Sequence, residues 1–148
     1  MSISEKISDD ITKALKSGDR NRVSVLRMIK SSMKNREIEK RAALTEEEAQ
    51  AILMSFVKRA RDSIEQFSKA DRSDLVEKEE KELLVVQDYL PKQLGEDDIR
   101  KIVEDMIVQE KASGPQAMGK VMKAAMAKLK GQADGKLVNT IVKEMLEA

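Results

Sequence analysis

The residues in this 148-residue chain best placed to do chemistry are lysines. From Lys120 to Lys136 there are five of them, at 120, 123, 128, 130 and 136, against one acid, Asp134. Ammonium groups without carboxylates nearby create a concentrated positive potential, and such a potential attracts phosphate. At 100° per residue, Met118, Val121, Met122, Ala125, Met126 and Leu129 fall on one side of a helix. Lys120, Lys123 and Lys130 fall opposite, with Lys128 at the margin. The methionines share their side with Val121, Ala125 and Leu129, so they read as core filling. The lysine side reads either as a solvated helix back or as a ridge that touches a phosphate backbone. Glycines add weight to the second reading. Gly119 lets another backbone come close near the helix start, and Gly131 fits a C-terminal stop. Gly135 follows Asp134, a good N-cap, and leaves the first turn of the last helix uncrowded, with its amides open to an anion. Lys130, Gly131, Lys136 and that helix start are expected to converge on one basic, glycine-lined corner.

Two other sets of residues compete for a role. Glu77, Glu79, Glu80 and Glu82 form a carboxylate cluster, and Glu79 and Glu82 share a helix face. Carboxylates so grouped can hold a metal or serve as acid and base. Lys78 and Lys81 are interleaved, however, and Arg59, Arg61 and Arg72 are natural partners, so a structural ion-pair network is expected. Arg20, Arg27, Lys34 and Arg41 recur every seven residues along one side of a helix, as a phosphate-facing column or a solubilising flank. Charge is also segregated. Residues 13–41 hold ten Lys/Arg and three Asp/Glu, a balance of +7, and residues 42–98 hold eight and fifteen, a balance of −7. The two stretches are expected to neutralise each other, although the acidic 42–98 region also suits a basic protein partner.

The absences narrow the chemistry. Histidine and cysteine are both missing, which excludes thiol nucleophiles, histidine bases, disulfides and Cys/His zinc sites. Aromatic residues are Phe56, Phe67 and Tyr89 alone, too few for a base-stacking platform. No catalytic residue, cofactor-binding residue or metal ligand is assigned. A net charge of +1 argues against a generally basic surface. Unbroken apolar runs reach only four residues, as in Leu83-Leu84-Val85-Val86, which leaves no membrane span and points to a cytoplasmic protein.

The elements that must position these residues all read as helices. Ser2 and Glu5 form a capping box before a stripe of Ile3, Ile7, Ile11 and Leu15, and Gly18 ends that helix. Asp19 caps a second, with Val23, Leu26, Ile29 and Met33 inward. Thr45 and Glu48 form another capping box before Ile52, Leu53, Phe56, Ala60, Ile64 and Phe67. Asp71 or Ser73 opens a fourth helix, with Leu75, Leu83, Val86 and Leu90 inward and Pro91 closing it. Beyond Pro91 a fifth helix carries Glu96, Asp97 and Asp98 in its first turn and Ile99 to Ile107 behind them, ending near Gly114-Pro115. Two shorter helices follow, Met118 to Lys130 and Asp134 to Leu146. The expected fold is all-α, with a four-helix module over residues 1–92 and a three-helix module over 93–148.

The string from Met118-Gly119-Lys120 through Lys130-Gly131-Gln132-Ala133-Asp134-Gly135-Lys136 to Leu146 resembles the tail motif of the GatB/YqeY family. Leu26-Arg27-Met28-Ile29-Lys30, Asp71 to Glu79, and Tyr89-Leu90-Pro91-Lys92-Gln93-Leu94 are similar to its stand-alone bacterial branch, YqeY. In GatB, a subunit of the glutamine-dependent amidotransferase acting on misacylated Glu-tRNA or Asp-tRNA, the tail is a helical appendage that contacts tRNA. Kinase and transamidase chemistry lies in a larger preceding domain that has no counterpart here, and the Ser-Ser-Lys amidase site of a partner subunit is missing too. The resemblance therefore implies a non-catalytic protein that binds tRNA or structured RNA through Gly119, Lys120, Lys123, Lys130, Gly131 and Lys136. It also leaves two alternatives open. One is an accessory role in carbon–nitrogen ligation with glutamine as amido-N-donor, and the other is a protein-interaction adaptor.

Overall fold

Ser2 shows how directly local chemistry sets the first element: its hydroxyl accepts from the Glu5 amide at 3.2 Å while the Glu5 carboxylate accepts from the Ser2 amide at 3.0 Å. That capping box opens α1 (Ile3–Ser17). The computed structural model describes residues 1–129 and 131–147, and among these the chain is all-helical, without strands. By internal contacts it divides into two compact units, Met1–Pro91 and Lys92–Ala148.

In the first unit Gly18 ends α1 in the left-handed region, at φ 76°, where a Cβ would be strained. The Asp19 carboxylate accepts from the Arg22 amide at 3.1 Å and opens α2 (Arg20–Lys40). Thr45 caps α3 (Glu46–Lys69) by accepting from the Glu48 amide at 3.1 Å. The expected box is only half made, because the Glu48 carboxylate turns to Lys40 and ties α3 to the end of α2. Neither Asp71 nor Ser73 caps α4 (Ser73–Gln87). Arg72 occupies the N-cap position without a side-chain cap and pairs with Asp74 at 3.1 Å, and Asp71 takes a left-handed φ of 54°. The core joins Ile7 and Ile11 of α1, Leu26, Ile29 and Met33 of α2, Leu53 and Val57 of α3, and Val85 and Val86 of α4. Ala49, Val57 and Val25 are buried beyond the expected stripes, while Ile64 and Phe67 are only half-buried.

Tyr89, just past α4, completes this unit. Its hydroxyl donates to Asp10 Oδ2 at 2.5 Å and accepts from Arg22 Nη2 at 3.2 Å, and Arg22 also pairs with Asp88 at 3.0 Å. One phenol thus joins α1, α2 and the end of α4. Tyr89→Phe keeps the ring but leaves Asp10 and Arg22 without their shared partner. It should cost about 1–2 kcal/mol in a denaturant titration, and an unchanged midpoint would contradict this. Burial first, and then the Asp10 hydrogen bond, hold the phenol above its ordinary ionisation range. An acid whose pKa rises on folding stabilises the fold below its unfolded pKa and loses that contribution as the pH climbs past it. The unit should therefore weaken above a pH of about 10. Phenolate absorbance can follow this cleanly, since the chain has one tyrosine and no tryptophan.

The second unit contains α5 (Glu96–Gln109), a short 3₁₀ turn (Pro115–Ala117), α6 (Met118–Lys128) and α7 (Gly135–Glu147). α5 stops well before Gly114-Pro115, in a turn where Lys111 takes a left-handed φ of 50°. Ile99 and Val103 of α5, Val121 and Ala125 of α6, and Val138, Ile141 and Val142 of α7 are fully buried together. Met118, Met122 and Met126 pack half-buried against this cluster, so they are core filling. Arg100 pairs with Glu96 at 2.9 Å and Glu144 at 2.8 Å, clamping α5 to α7. Among the described residues no helix is long and apolar enough to cross a membrane.

Candidate nucleic-acid interface

The orientation of α6 follows from burial. Val121, Ala125 and Leu129 have no exposed surface, so the helix can present only its opposite side to solvent. That side carries Gly119, Lys120, Lys123, Ala127 and Lys128, all exposed, and α6 itself contains no acid. Lys120 Nζ lies 3.3 Å from Glu110 Oε2, a solvent-exposed pair of the kind worth only about 0–1 kcal/mol. An incoming phosphate can displace it at little cost. Lys123, Lys128 and Lys136 have no carboxylate partner among the described residues. Lys130 lies outside the described residues.

Gly119 does not serve a neighbouring helix. A Cβ built there would meet nothing within 4 Å, so nothing in this unit requires the missing side chain. An exposed helical glycine costs about 1 kcal/mol relative to alanine, and here it leaves a flat spot beside Lys120 and Lys123. Gly131 has a clear internal reason. Its φ is 73°, and its carbonyl accepts from Gln93 Nε2 at 2.6 Å. The same turn accepts the Leu94 amide on the Gln132 carbonyl at 2.9 Å, so residues 93 and 94 strap it down.

The corner at the start of α7 is less open than the glycines suggest. The Asp134 carboxylate accepts from the Lys136 amide at 3.2 Å, which uses one amide and places a carboxylate at the helix start. The structure thus gathers Gly119, Lys120 and Lys123 on one face of α6. Gly131 lies in the strapped turn and Lys136 in the first turn of α7. Lys128, marginal by helical angle, is exposed and, like Lys123 and Lys136, has no carboxylate partner among the described residues.

The carboxylate cluster on α4 does not form the expected network. Arg59 lies over the Phe56 ring at 4.5 Å, Arg72 pairs with Asp74, and among the described residues only Glu77 of the cluster makes an ion pair, with Lys81 at 3.5 Å. Burial first, then the neighbouring Glu82, hold Glu79 above the usual carboxylate range. No group of three or more metal-binding side chains occurs among the described residues. Neutralisation of α2 by the acidic stretch is also partial. Arg22 reaches Asp88 and Lys40 reaches Glu48, but Arg20, Arg27, Lys34 and Arg41 have no carboxylate partner among the described residues.

These features define a class: an all-helical protein with a module akin to the tail of tRNA-dependent amidotransferase subunits. The chain is 43% identical over 58 residues to a subunit of glutamyl-tRNA(Gln) amidotransferase from Thermococcus gammatolerans, covering 36% of this chain and 9% of that protein. The chain therefore spans about a tenth of that relative's length. Within the class the assignment is specific, for residues 4–146 match the family described as Yqey-like protein, and the chain belongs to it. Two relatives share the name altered inheritance of mitochondria protein 41, mitochondrial. That of Pyrenophora tritici-repentis is 28% identical over 147 residues, covering 97% of this chain and 80% of the relative. That of Lachancea thermotolerans is 34% identical over 112 residues, covering 74% and 60%.

Proposed function

We propose that this protein is a non-catalytic binder of tRNA, or of RNA of similar shape, and that the outer face of α6 is its contact surface. The observation that carries the reading is the exposed face of α6, which has no acid of its own, with Lys123 and Lys128 unpaired among the described residues and Gly119 flat beside them. With few aromatics, recognition runs through phosphates, 2′-hydroxyls and helix shape, not base stacking. The kinship with an amidotransferase component named for glutamyl-tRNA(Gln) supports tRNA as the RNA. A protein with this task works where tRNA is, in the cytoplasm. Equilibrium binding of unfractionated tRNA to the full chain tests the reading. Affinity should fall steeply between low and physiological salt, and absent or salt-insensitive binding would overturn it.

The same kinship favours one second reading, an accessory role in glutamine-dependent carbon–nitrogen ligation. Among the described residues α6 carries no hydroxyl or thiol nucleophile, so that role would be delivery of tRNA. Ammonia release from glutamine by the purified protein would show instead that it takes part in the chemistry.

A further inference from the structure

The first unit carries a surface that RNA binding by α6 does not use. Gly18 and Asp19 reverse the chain so tightly that the last turn of α1 flanks the first turns of α2. An open groove of about 700 Å³ lies at this corner, floored by Ala14 and Val23 and walled by Leu15 and Met28. Leu15 is 53% exposed and Met28 45%, in a chain that buries most of its large apolar side chains. Arg20 and Arg27 stand in the same groove, beside Asp19, whose carboxylate accepts from the Arg22 amide. Farther along that side of α2, Lys34 continues the seven-residue spacing and Ile38 is 66% exposed, while Arg41 lies just past the helix as its C-cap, at a left-handed φ of 55°.

The cations of α2 are sorted by side. Arg22, Arg36 and Lys40 each have a carboxylate, in Asp88, Glu39 and Glu48. Arg20, Arg27, Lys30 and Lys34 have none among the described residues, and neither does Arg41 at the C-cap. One face of one helix therefore combines unmatched positive charge with uncovered apolar surface.

We infer that this face docks an acidic amphipathic helix from a partner protein. A phosphate backbone would answer the arginines but leave Leu15, Met28 and Ile38 in water. A helix with an apolar stripe and flanking carboxylates answers both, filling the groove and pairing at its rim. The spacing fits, since cations seven residues apart recur about every 10 Å along α2, the interval of a facing heptad. A second copy laying α2 on α2 would oppose arginine with arginine, which disfavours self-docking. The surface makes the protein an adaptor that accepts an acidic partner. This stands or falls independently of RNA binding by α6.

The test uses the full chain and a fluorescein-labelled peptide of about three heptads, with leucine at a and d and glutamate at e and g, diluted until monomeric. A second peptide carries lysine in place of each glutamate. Anisotropy should show binding of the glutamate peptide and little binding of the lysine peptide. Arg20→Glu with Arg27→Glu should weaken the first at least about tenfold and strengthen the second. Leu15→Ser with Met28→Ser should weaken the glutamate peptide without creating a preference for lysine. These side chains are exposed, and circular dichroism confirms that the helices persist. Indifference of both variants to peptide charge would overturn the inference. So would displacement of the peptide by tRNA together with loss of tRNA binding in the arginine variant, which would make this face an RNA surface.

Discussion

Replacing Lys123, Lys128 and Lys136 together by glutamate should lower tRNA affinity by about 100-fold or more while leaving helix content unchanged. All three side chains are exposed and none makes an ion pair among the described residues, so the folded protein loses no internal partner. An RNA held by the α6 face and the first turn of α7 loses three attractive contacts and gains three repulsive charges. Lys120→Glu should have a milder effect, because in the free protein that ammonium is shared with Glu110. A triple variant that binds within about threefold of wild type would move the RNA surface elsewhere.

Ile141→Ala should have the largest effect on the fold. Its side chain is fully buried among Val103, Val121, Val138 and Val142, at the centre of a small unit. Removing it leaves a cavity and costs about 2–5 kcal/mol, a large share of what a unit of this size holds in reserve. Because the same cluster fixes the rotation of α6, tRNA binding at 37 °C should fall along with stability. Leu84→Ala is the control, since Leu84 is 64% exposed and its loss should stay within about 0.5 kcal/mol. Equal thermal midpoints for the two variants would contradict the core described for the second unit.

The helices were legible because their signals are local. Ser2 with Glu5, Gly18 and Asp19 each act within four residues, and all three do in the structure what their side-chain chemistry dictates. The stripe Val121, Ala125 and Leu129 likewise fixes the buried side of α6 by spacing alone. What sequence could not show were pairings between distant elements. Glu48 is as good a cap partner for Thr45 as any glutamate, until α2 brings Lys40 within reach. Tyr89 sits 79 residues from Asp10 and 67 from Arg22, and no periodicity announces that meeting. Arg59 had acids available on α4 but lies on Phe56, a choice that only packing decides. Asp134 was legible as a cap, yet its effect on the corner, taking the Lys136 amide, needed the turn held by Gln93 and Leu94.

In the proposed function, the ammonium groups of Lys123, Lys128 and Lys136 neutralise RNA phosphates. Each such contact releases counterions, so it adds a fixed increment to the dependence of log affinity on log salt. The direct measurement compares that slope for tRNA between the wild-type chain and a variant with Lys123, Lys128 and Lys136 changed to glutamine. The wild-type slope should be steeper by about 2.7 if the three lysines face duplex regions of the RNA. Identical slopes would mean that neither the lysine face of α6 nor Lys136 touches the RNA.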